Sequence, residues 1–348
     1  MKERDILVFN VGSSSIKYSL FKELELVKSK TYERLITKND YKEAVKKIFS
    51  EVDGKIDIII HRVVHGKDFK KPLKINNEVK NKIREFSEFA KLHNPRQLMV
   101  IELCETYKKP QYAAFDTMFF SDIPEVAKTY AIPMAITNKY EIKRYGFHGL
   151  SHASVSKNLK GKTITCHLGS GVSIAAIING KPIDISMGLT PLEGSIMGTR
   201  SGTIDPGIIF FLQKRGYNVE EIITEKSGLK GICGYNDFRD IRTRMNKDKN
   251  CKLAYDMFEY QIVKIIGSYV AAMNGIDNLV FTAAIGLNVP RLREDICNHL
   301  SYLKIKLDKN KNNKNSEIIS SESSKVKVMV KKTNEEKIAV EEVLKILK

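Results

Sequence analysis

The residues best suited to bind an anion lie in a long polar segment, residues 186–206, whose only cation is Arg200. Four glycines and two prolines interrupt this segment. Glycine loses much backbone entropy on ordering and proline has no N–H donor, so the composition disfavours a helix or strand. A guanidinium is a planar, permanently charged fork that matches carboxylate and phosphate oxygens. The segment therefore predicts a loop whose backbone closely approaches an anionic ligand, with an ordinary surface loop as the alternative.

Two short turns have the composition of phosphate-binding turns. The first, Asn10–Lys17, is rich in serine, and the second is Gly169–Gly171. Each joins two apolar runs typical of β-strands, so each predicts a hairpin. Small residues let backbone N–H groups point at a phosphate, although neither turn has P-loop spacing and Ser-rich turns also occur without a ligand. The repetition indicates a duplicated architecture in which the two turns hold a nucleotide triphosphate from two sides.

Three ionisable side chains follow predicted strands or lie among glycines. Arg62 comes after the apolar run 56–60, and Asp116 comes directly after the run 112–115. Ligands of α/β proteins bind at strand ends, and an aspartate there suits a hydrated Mg²⁺ or a substrate. His148 lies in a glycine-rich stretch, where the backbone can present its imidazole. An exposed arginine and a buried structural histidine are the alternatives for Arg62 and His148.

Length, charge and cysteine content limit the class of protein. At 348 residues the chain is longer than one core usually organises, so two domains are expected. The net charge is +17, but the lysines are dispersed and no nucleic-acid-binding motif is present, which favours a solvated basic surface over a nucleic-acid partner. Such a basic field would also attract anionic substrates such as nucleotides. Five widely spaced cysteines indicate neither a disulfide framework nor a zinc site. Without a leader or a membrane-spanning run, we expect a cytoplasmic protein with no membrane partner.

Hydrophobic periodicity predicts alternating strands and helices, hence an α/β fold. The predicted helices cover residues 40–51, 76–90, 96–107, 151–159, 251–273 and 335–347, with Ser151 as the N-cap of the fourth. The predicted strands cover residues 6–9, 16–21, 56–60, 112–115, 163–167, 172–178, 279–282 and 326–330. The Lys-, Asn- and Ser-rich segment 304–325 is predicted to be a mobile surface loop.

Several segments taken together resemble the signature blocks of the acetate kinases, in that family's order. These blocks are Asn10–Lys17, His61–Gly66, His93–Pro95, Phe115–Thr117, Arg144–His148, Ser186–Pro206 and Thr333–Glu336. The resemblance implies the actin/hexokinase/Hsp70-like superfamily: an α/β fold of two duplicated actin-like ATPase (ribonuclease H-like) domains, with mixed β-sheets flanked by helices and a cleft between the domains. It implies an N-terminal domain on the acyl and phosphate side, residues 1–118 plus 334–348, and a nucleotide-binding C-terminal domain, residues 119–333.

The same resemblance implies a role for each matching residue. The catalytic residues it implies are Arg62, Asp116, His148 and Arg200. The implied acyl pocket consists of Arg62, Val64, Leu92, Phe147 and Pro191. The implied nucleotide-binding residues are Ser13, Ser15, Lys17, His167, Gly169, Ser170, Gly171, Asp237, Phe238, Arg239, Ala284, Ile285, Gly286 and Asn288. The implied ligands of Mg²⁺, with Mn²⁺ as an alternative, are Asn10 and Glu335.

The implied activity is reversible, direct in-line phosphoryl transfer between ATP and acetate, giving acetyl phosphate and ADP. An ionised carboxylate needs no general base, so the task that remains is to bring two anions together and neutralise charge. The resemblance also implies a homodimer that forms through the second domain. A propionate kinase or relaxed short-chain acyl kinase is an alternative, because one methylene contributes only about 1–3 kcal/mol to discrimination. A nucleotide-binding pseudoenzyme or sensor of the same fold is a second alternative.

The chain departs from the usual family pattern mainly on the nucleotide side. Ser170 replaces an asparagine, Ala284 replaces a glycine and Leu287 replaces a glutamate. Phe120 stands where a histidine is common, Lys67 replaces a second glycine, and the region before Arg62 is shorter than usual. These departures leave the phosphoryl donor open among ATP, GTP and pyrophosphate.

Overall fold

The computed structural model describes residues 3–12, 14–52 and 56–348, which form two compact units. The first unit comprises Met1–Ser121, Phe147–Ser154 and Asn334–Lys348, and the second comprises Asp122–Gly146 and Val155–Thr333. The segment Phe147–Ser154 was expected in the second domain. It belongs to the first unit because Leu150 and Ala153 pack into that unit's hydrophobic core.

The secondary-structure elements are numbered in chain order. The strands are β1 (Asp5–Val11), β2 (Ser15–Lys22), β3 (Glu25–Glu33), β4 (Ile58–Val63), β5 (Leu73–Lys74), β6 (Gln111–Phe115), β7 (Lys162–Leu168), β8 (Val172–Ile178), β9 (Lys181–Ile185), β10 (Asn278–Thr282) and β11 (Lys327–Val330). The α-helices are α1 (Lys38–Glu51), α2 (Asn77–Glu85), α3 (Asn94–Cys104), α4 (Glu125–Lys128), α5 (Met134–Tyr140), α6 (Gly149–Ser156), α7 (Pro206–Gln213), α8 (Val219–Glu221), α9 (Gly228–Cys233), α10 (Phe238–Arg244), α11 (Lys249–Met273), α12 (Ala283–Asn288), α13 (Pro290–His299), α14 (Lys309–Asn313) and α15 (Glu335–Ile346). Short 3₁₀ segments lie at Phe86–Glu88, Glu105–Tyr107, Asp116–Phe120 and Ser301–Leu303, and a π-helical turn lies at Ile222–Lys226.

The sheet of the first unit has the strand order β3-β2-β1-β4-β6-β5. Strands β1, β2 and β3 form an antiparallel meander, whereas β1, β4 and β6 run parallel. The central strands are continuous apolar runs because both faces of the sheet are covered. On one face Val8 lies in a cluster with Ile338 of α15, and on the other Leu7 lies in a cluster with Val45 of α1. The parallel strands β4 and β6 therefore end at the same edge of the sheet, where Arg62 and Asp116 lie.

The sheet of the second unit has the order β11-β10-β7-β8-β9. Strands β7 and β8 form a hairpin, and β10 runs parallel to both β7 and β11. The first sheet has the same arrangement, since the hairpin β1-β2 is followed by β4 parallel to β1. The long helix α11 packs against β8, and the carboxylate of Asp248 caps it by accepting the N–H groups of Asn250 and Cys251. Both predicted hairpins are present, which fits the expected duplication.

Two local predictions are wrong. Ser151 is not an N-cap, because α6 already begins at Gly149 and Ser151 is buried within its first turn. The segment 304–325 is folded rather than a loose loop: it contains α14, buries Asn312 and Ile319, and pairs with neighbouring backbone. The side chain of Arg293 holds Asn312 through Nε–H···Oδ1 and Nη2–H···O bonds of 2.8 Å each. In the part of the chain that the structure describes, no helix has the length and apolar character needed to cross a membrane.

Candidate functional site

A buried ion pair lies at the sheet edge of the first unit. Arg62 is the penultimate residue of β4, and Asp116 directly follows the neighbouring strand β6. Arg62 Nε donates to Asp116 Oδ1 at 3.0 Å, and Nη2 donates to Oδ2 at 2.7 Å. The Arg62 side chain is 15% exposed and the Asp116 side chain is fully buried. This bidentate geometry fixes the plane of the guanidinium.

The N-terminus of α15 adds two glutamates to this pair. Arg62 Nη1 lies 2.6 Å from Glu335 Oε2 and also donates to Asn10 Oδ1 at 3.1 Å. The amide nitrogen of Asn10 donates to both Glu335 Oε2 and Glu336 Oε1, at 3.0 and 2.9 Å. Lys17 Nζ pairs with Glu336 Oε1 at 3.0 Å. The first unit therefore assembles six polar side chains from four distant segments of the chain.

The charges of this cluster do not cancel. Among the described residues, Asp116, Glu335 and Glu336 pair with two cations, Arg62 and Lys17, so the carboxylates of the cluster outnumber its cations by one. Burial, followed by the charges of Asp116 and Glu336, raises the pKa of Glu335 even though Arg62 opposes the shift. Burial also works against the charge on Arg62, but Asp116 and Glu335 outweigh it and raise the pKa of Arg62. The cluster thus attracts a further cation.

The first predicted phosphate turn is a tight hairpin. The N–H of Gly12 donates to the carbonyl of Ser15 at 2.9 Å, and Ser15 begins β2. Ser13 lies outside the described residues. Lys17 lies two residues after Ser15 in β2 and contacts Glu336 while its side chain stays partly exposed. The turn therefore places a lysine beside the Arg62 cluster.

His148 has an uncommon backbone conformation, with φ of 55°. Such left-handed values are infrequent for residues other than glycine, and they concentrate at functional sites. The next residue, Gly149, touches the backbone of Asp116 so closely that a Cβ atom would lie 1.9 Å from the Asp116 carbonyl oxygen. Gly149 therefore lets α6 begin directly against the residue that pairs with Arg62. The structure thus brings His148 to the neighbourhood of Asp116 within the first unit.

The implied acyl-pocket residues come from both units and differ in burial. Val64 and Phe147 are buried in the first unit, and the ring of Phe147 lies 5.4 Å from that of His65. Leu92 is 40% exposed. Pro191 belongs to the second unit. Val64 and Phe147 are therefore the buried members of the set in the first unit.

In the second unit, Arg200 carries a largely buried charge without a carboxylate partner among the described residues. Its Nη1 donates to the carbonyl of Pro191 at 2.5 Å. Burial alone lowers the pKa of Arg200 to about 10, which still leaves the guanidinium charged at neutral pH. A buried cation that no protein carboxylate neutralises is costly, and an anionic ligand would remove that cost. The predicted loop is present, since residues 186–205 contain neither helix nor strand.

The second turn lies against the same loop. The N–H of Gly169 donates to the carbonyl of Gly171 at 3.0 Å, and the carbonyl of Ser170 accepts the N–H of Gly198 at 3.2 Å. A Cβ atom on Gly169 would lie 3.6 Å from the Cβ of Ala283, next to the start of α12. The turn, the loop and α12 therefore meet in the second unit. His167 lies in β7 opposite Thr282 of β10, at the same end.

Two other segments that are implied to bind the nucleotide are the start of α10 and the helix α12. Phe238 is 4% exposed and its ring lies 4.9 Å from that of Phe258, so its side chain packs in the core of the second unit. Asp237 caps α10 and pairs with the exposed Arg239 at 2.6 Å. Residues Ala284, Ile285, Gly286 and Asn288 all lie in α12, whose carbonyl at Gly286 accepts a hydrogen bond from Arg293. The roles of the segment 237–239 and of α12 on the nucleotide side both stay predictions.

The sequence pattern of the acetokinase family matches residues 22–341. The chain belongs to the acetokinase family. This acetokinase is 44% identical to the acetate kinase of Thermosipho africanus over 384 residues, with 95% of each chain covered. It is 44% identical to the acetate kinase of Thermotoga maritima over 385 residues, which covers 95% of this chain and 96% of the relative.

Solved structures resemble this acetokinase along nearly its whole length. The acetate kinase of Porphyromonas gingivalis matches with a TM-score of 0.86 and 36% identity, covering 99% of this chain and 100% of the other. A propionate kinase from Francisella tularensis matches with a TM-score of 0.88 and 36% identity, covering 97% and 98%. These matches and the two similar sheets confirm the expected α/β fold of duplicated actin-like domains.

Sequence reasoning missed the part that Glu336 plays in this acetokinase. Its carboxylate is buried and is the partner of both Asn10 and Lys17. Burial disfavours the charge, but Lys17 and Asn10 prevail and lower the pKa of Glu336. The signal was present as two consecutive glutamates at the start of a predicted helix, where a carboxylate is favoured by the helix dipole.

Proposed function

We propose that this acetokinase catalyses reversible phosphoryl transfer between ATP and acetate, which yields acetyl phosphate and ADP. The observation that carries the proposal is the buried guanidinium of Arg200, which lacks a protein carboxylate in the described chain. The first unit supplies a second guanidinium, Arg62, in a rigid bidentate contact with Asp116. Two arginines in fixed orientations suit a reaction whose substrates are two anions.

The chemistry requires no general base on the protein. Acetate is already ionised at neutral pH, so its carboxylate oxygen can attack the γ-phosphorus of ATP directly while ADP leaves in line. We assign Arg62 and Arg200 to neutralise the acetate and the equatorial phosphoryl oxygens, and His148 to stabilise the transferring group. Positioning and charge neutralisation of this kind account for most catalysis of phosphoryl transfer. We therefore propose direct transfer without a phosphorylated enzyme intermediate.

We propose Mg²⁺ as the metal ion, with Mn²⁺ as an alternative, beside Asn10 and Glu335. No cluster of three or more His, Cys, Asp or Glu side chains forms a ready metal cage in the part of the chain that is described. The donor set nevertheless fits, because Mg²⁺ in kinases is bound through one or two carboxylates and the substrate phosphates. The single carboxylate in excess at the Arg62 cluster supplies the required negative charge. When bound, the ion would neutralise charge on the phosphates.

The quaternary state and the compartment are also proposals. Helix α7 presents Ile208, Phe210 and Phe211 to solvent and buries none of its residues within the chain. An exposed apolar helix of this kind is typical of a subunit interface, which supports a homodimer formed through the second unit.

All five cysteines are unpaired, which supports a reducing, cytoplasmic environment.

The test traps the acyl phosphate with hydroxylamine in reactions of the purified protein with ATP, Mg²⁺ and acetate, propionate or butyrate. We expect turnover with acetate that exceeds turnover with propionate, and little with butyrate. Preference for propionate would establish the propionate kinase alternative, which the Francisella tularensis match keeps open. Nucleotide binding with no acyl phosphate from any acid would establish the pseudoenzyme and overturn the proposal.

A further inference from the structure

Three side chains of the second unit fasten the base of the loop that carries Pro191 and Arg200. They are Tyr130, Arg144 and Glu193, which we call the loop clamp. Arg144 Nη2 donates to Glu193 Oε1 at 2.7 Å, and the hydroxyl of Tyr130 donates to Glu193 Oε2. The guanidinium of Arg144 also lies 5.5 Å from the centre of the Tyr130 ring. Both oxygens of one carboxylate are therefore occupied by donors from outside the loop.

The clamp also binds the loop backbone. The N–H of Leu189 donates to the hydroxyl of Tyr130 at 3.0 Å. Arg144 Nη1 donates to the carbonyl of Ile185, directly before the loop, at 3.0 Å, and to the carbonyl of Ser186 at 3.4 Å. Gly188 makes room for these contacts, because a Cβ atom there would lie 1.9 Å from Glu193 Oε2 and 2.0 Å from the Tyr130 hydroxyl. A glycine at position 188 is thus required for the clamp to close.

Two members of the clamp, Arg144 and Tyr130, keep their protons at neutral pH. Burial disfavours the charge on Arg144, but Glu193 outweighs it and raises the pKa of Arg144. Burial raises the pKa of Tyr130 well above neutral, so its hydroxyl keeps the proton that it donates to Glu193. Asp184 also faces Arg144, with Oδ1 3.9 Å from Nε, and its pKa is raised by burial. The clamp is therefore a fixed structural element rather than a pH switch.

The position of Arg200 depends on this clamp. Leu189 and Glu193, which the clamp holds, lie two residues on either side of Pro191. The carbonyl of Pro191 accepts the bond from Arg200 Nη1, and no carboxylate of the described chain pairs with that guanidinium. We propose that Tyr130, Arg144 and Glu193 are positioning residues that set the orientation of Arg200 for phosphoryl transfer. This inference rests on the proposed function, since it assigns them an effect on that reaction.

The first variant is Tyr130→Phe, which keeps the ring and removes the hydroxyl that contacts both Glu193 and Leu189. A displacement of about 1 Å at a catalytic group can lower turnover about 100-fold, so we expect kcat for acetyl phosphate synthesis to fall about 10–100-fold. The KM for ATP should stay within twofold. Glu193→Gln, which removes the charge pair with Arg144, should give a smaller decrease. Tyr217→Phe, at a tyrosine that is 56% exposed, is the matched control and should leave kcat unchanged.

A double-mutant cycle separates positioning from general structural damage. If Tyr130 acts through Arg200, Tyr130→Phe should lower kcat by a much smaller factor in an Arg200→Lys background than in the wild type. The inference would be overturned if Tyr130→Phe lowered kcat by the same factor in the wild type and in Arg200→Lys. It would also be overturned if folded Tyr130→Phe and Glu193→Gln proteins had the kcat of the wild type. In both cases an active wild-type protein would leave the proposed function standing. A wild-type protein that makes no acetyl phosphate would overturn the proposed function and this inference with it.

Discussion

The buried pair of Arg62 and Asp116 yields a quantitative prediction for the variant Asp116→Asn. Both carboxylate oxygens of Asp116 accept N–H groups of Arg62, at 3.0 and 2.7 Å, and the aspartate is fully buried. Asparagine has the same shape but replaces one acceptor oxygen with an NH₂ group. That group would face a guanidinium N–H, so two donors would oppose each other in a site that water does not reach. The variant therefore loses one strong hydrogen bond and the charge attraction between Asp116 and Arg62.

The size of the loss follows from what Arg62 retains. Removal of one partner of a buried pair costs about 3–5 kcal/mol when the other charge is left uncompensated. Arg62 keeps Glu335 at 2.6 Å and Asn10 at 3.1 Å, so we expect a smaller loss, about 2–3 kcal/mol. One kcal/mol lowers the Tm by about 2–4 °C at 150–250 residues, which gives a decrease of about 4–12 °C. Because Arg62 also changes its orientation, kcat should fall about 100–1,000-fold.

Differential scanning calorimetry and the hydroxylamine assay measure the two effects on one protein sample. Glu102→Gln is the matched control, because Glu102 pairs with Arg84 at 3.0 Å but the two side chains are 45% and 57% exposed. Exposed pairs contribute at most about 1 kcal/mol, so this variant should keep its kcat and lose little stability. An Asp116→Asn protein with the Tm and kcat of the wild type would refute the reasoning. A decrease in kcat at unchanged Tm would refute the predicted loss of stability but not the predicted effect on the orientation of Arg62.

Two further predictions concern the buried charges of the molecule. Arg200→Ala should lower kcat about 100-fold or more and leave the Tm equal or higher. The reason is that it removes a buried charge with no carboxylate partner in the described chain. A clear decrease of the Tm in calorimetry would contradict this prediction. Burial lowers the pKa of His61 to about 4, below its unfolded value of about 6.5. The unfolded state therefore binds the proton first, so stability present above pH 6.5 should fall by about 3 kcal/mol as the pH drops to 4. In urea unfolding, His61→Asn should reduce the loss of unfolding free energy between pH 6.5 and pH 4. The same loss in the variant and the wild type would contradict the assignment to His61.

The elements that sequence reasoning located are those with local signals. The apolar runs of β1, β4 and β6 and the capped helices α1 and α11 carry their own patterns, so their positions followed from the sequence. Strand β3 gave no such signal because it is an edge strand, almost entirely exposed and rich in charge. The fold of residues 304–325 depends on Arg293, whose contacts with Asn312 no local pattern reveals.

In the candidate site, too, the residues with local sequence signals were found and the long-range contacts were not. Residue types and spacing pointed to Arg62, Asp116 and Arg200 as anion-binding or metal-binding groups. The pairing of Lys17 with Glu336 could not be read from the sequence, because the two residues are more than three hundred positions apart. The clamp on Glu193 was missed for a related reason. A glutamate in a polar loop has many candidate partners, and only the folded backbone selects them.

The most direct test of the central claim follows the reaction by ³¹P NMR, with purified protein, Mg²⁺, ATP and acetate. We expect acetyl phosphate and ADP to appear in equal amounts, only when acetate is present, and Arg62→Ala to slow the formation of both by about 100-fold or more. Conversion of ATP to ADP and inorganic phosphate without acetyl phosphate would contradict it. Unchanged acetyl phosphate synthesis by Arg62→Ala would equally contradict the role given to the buried cluster.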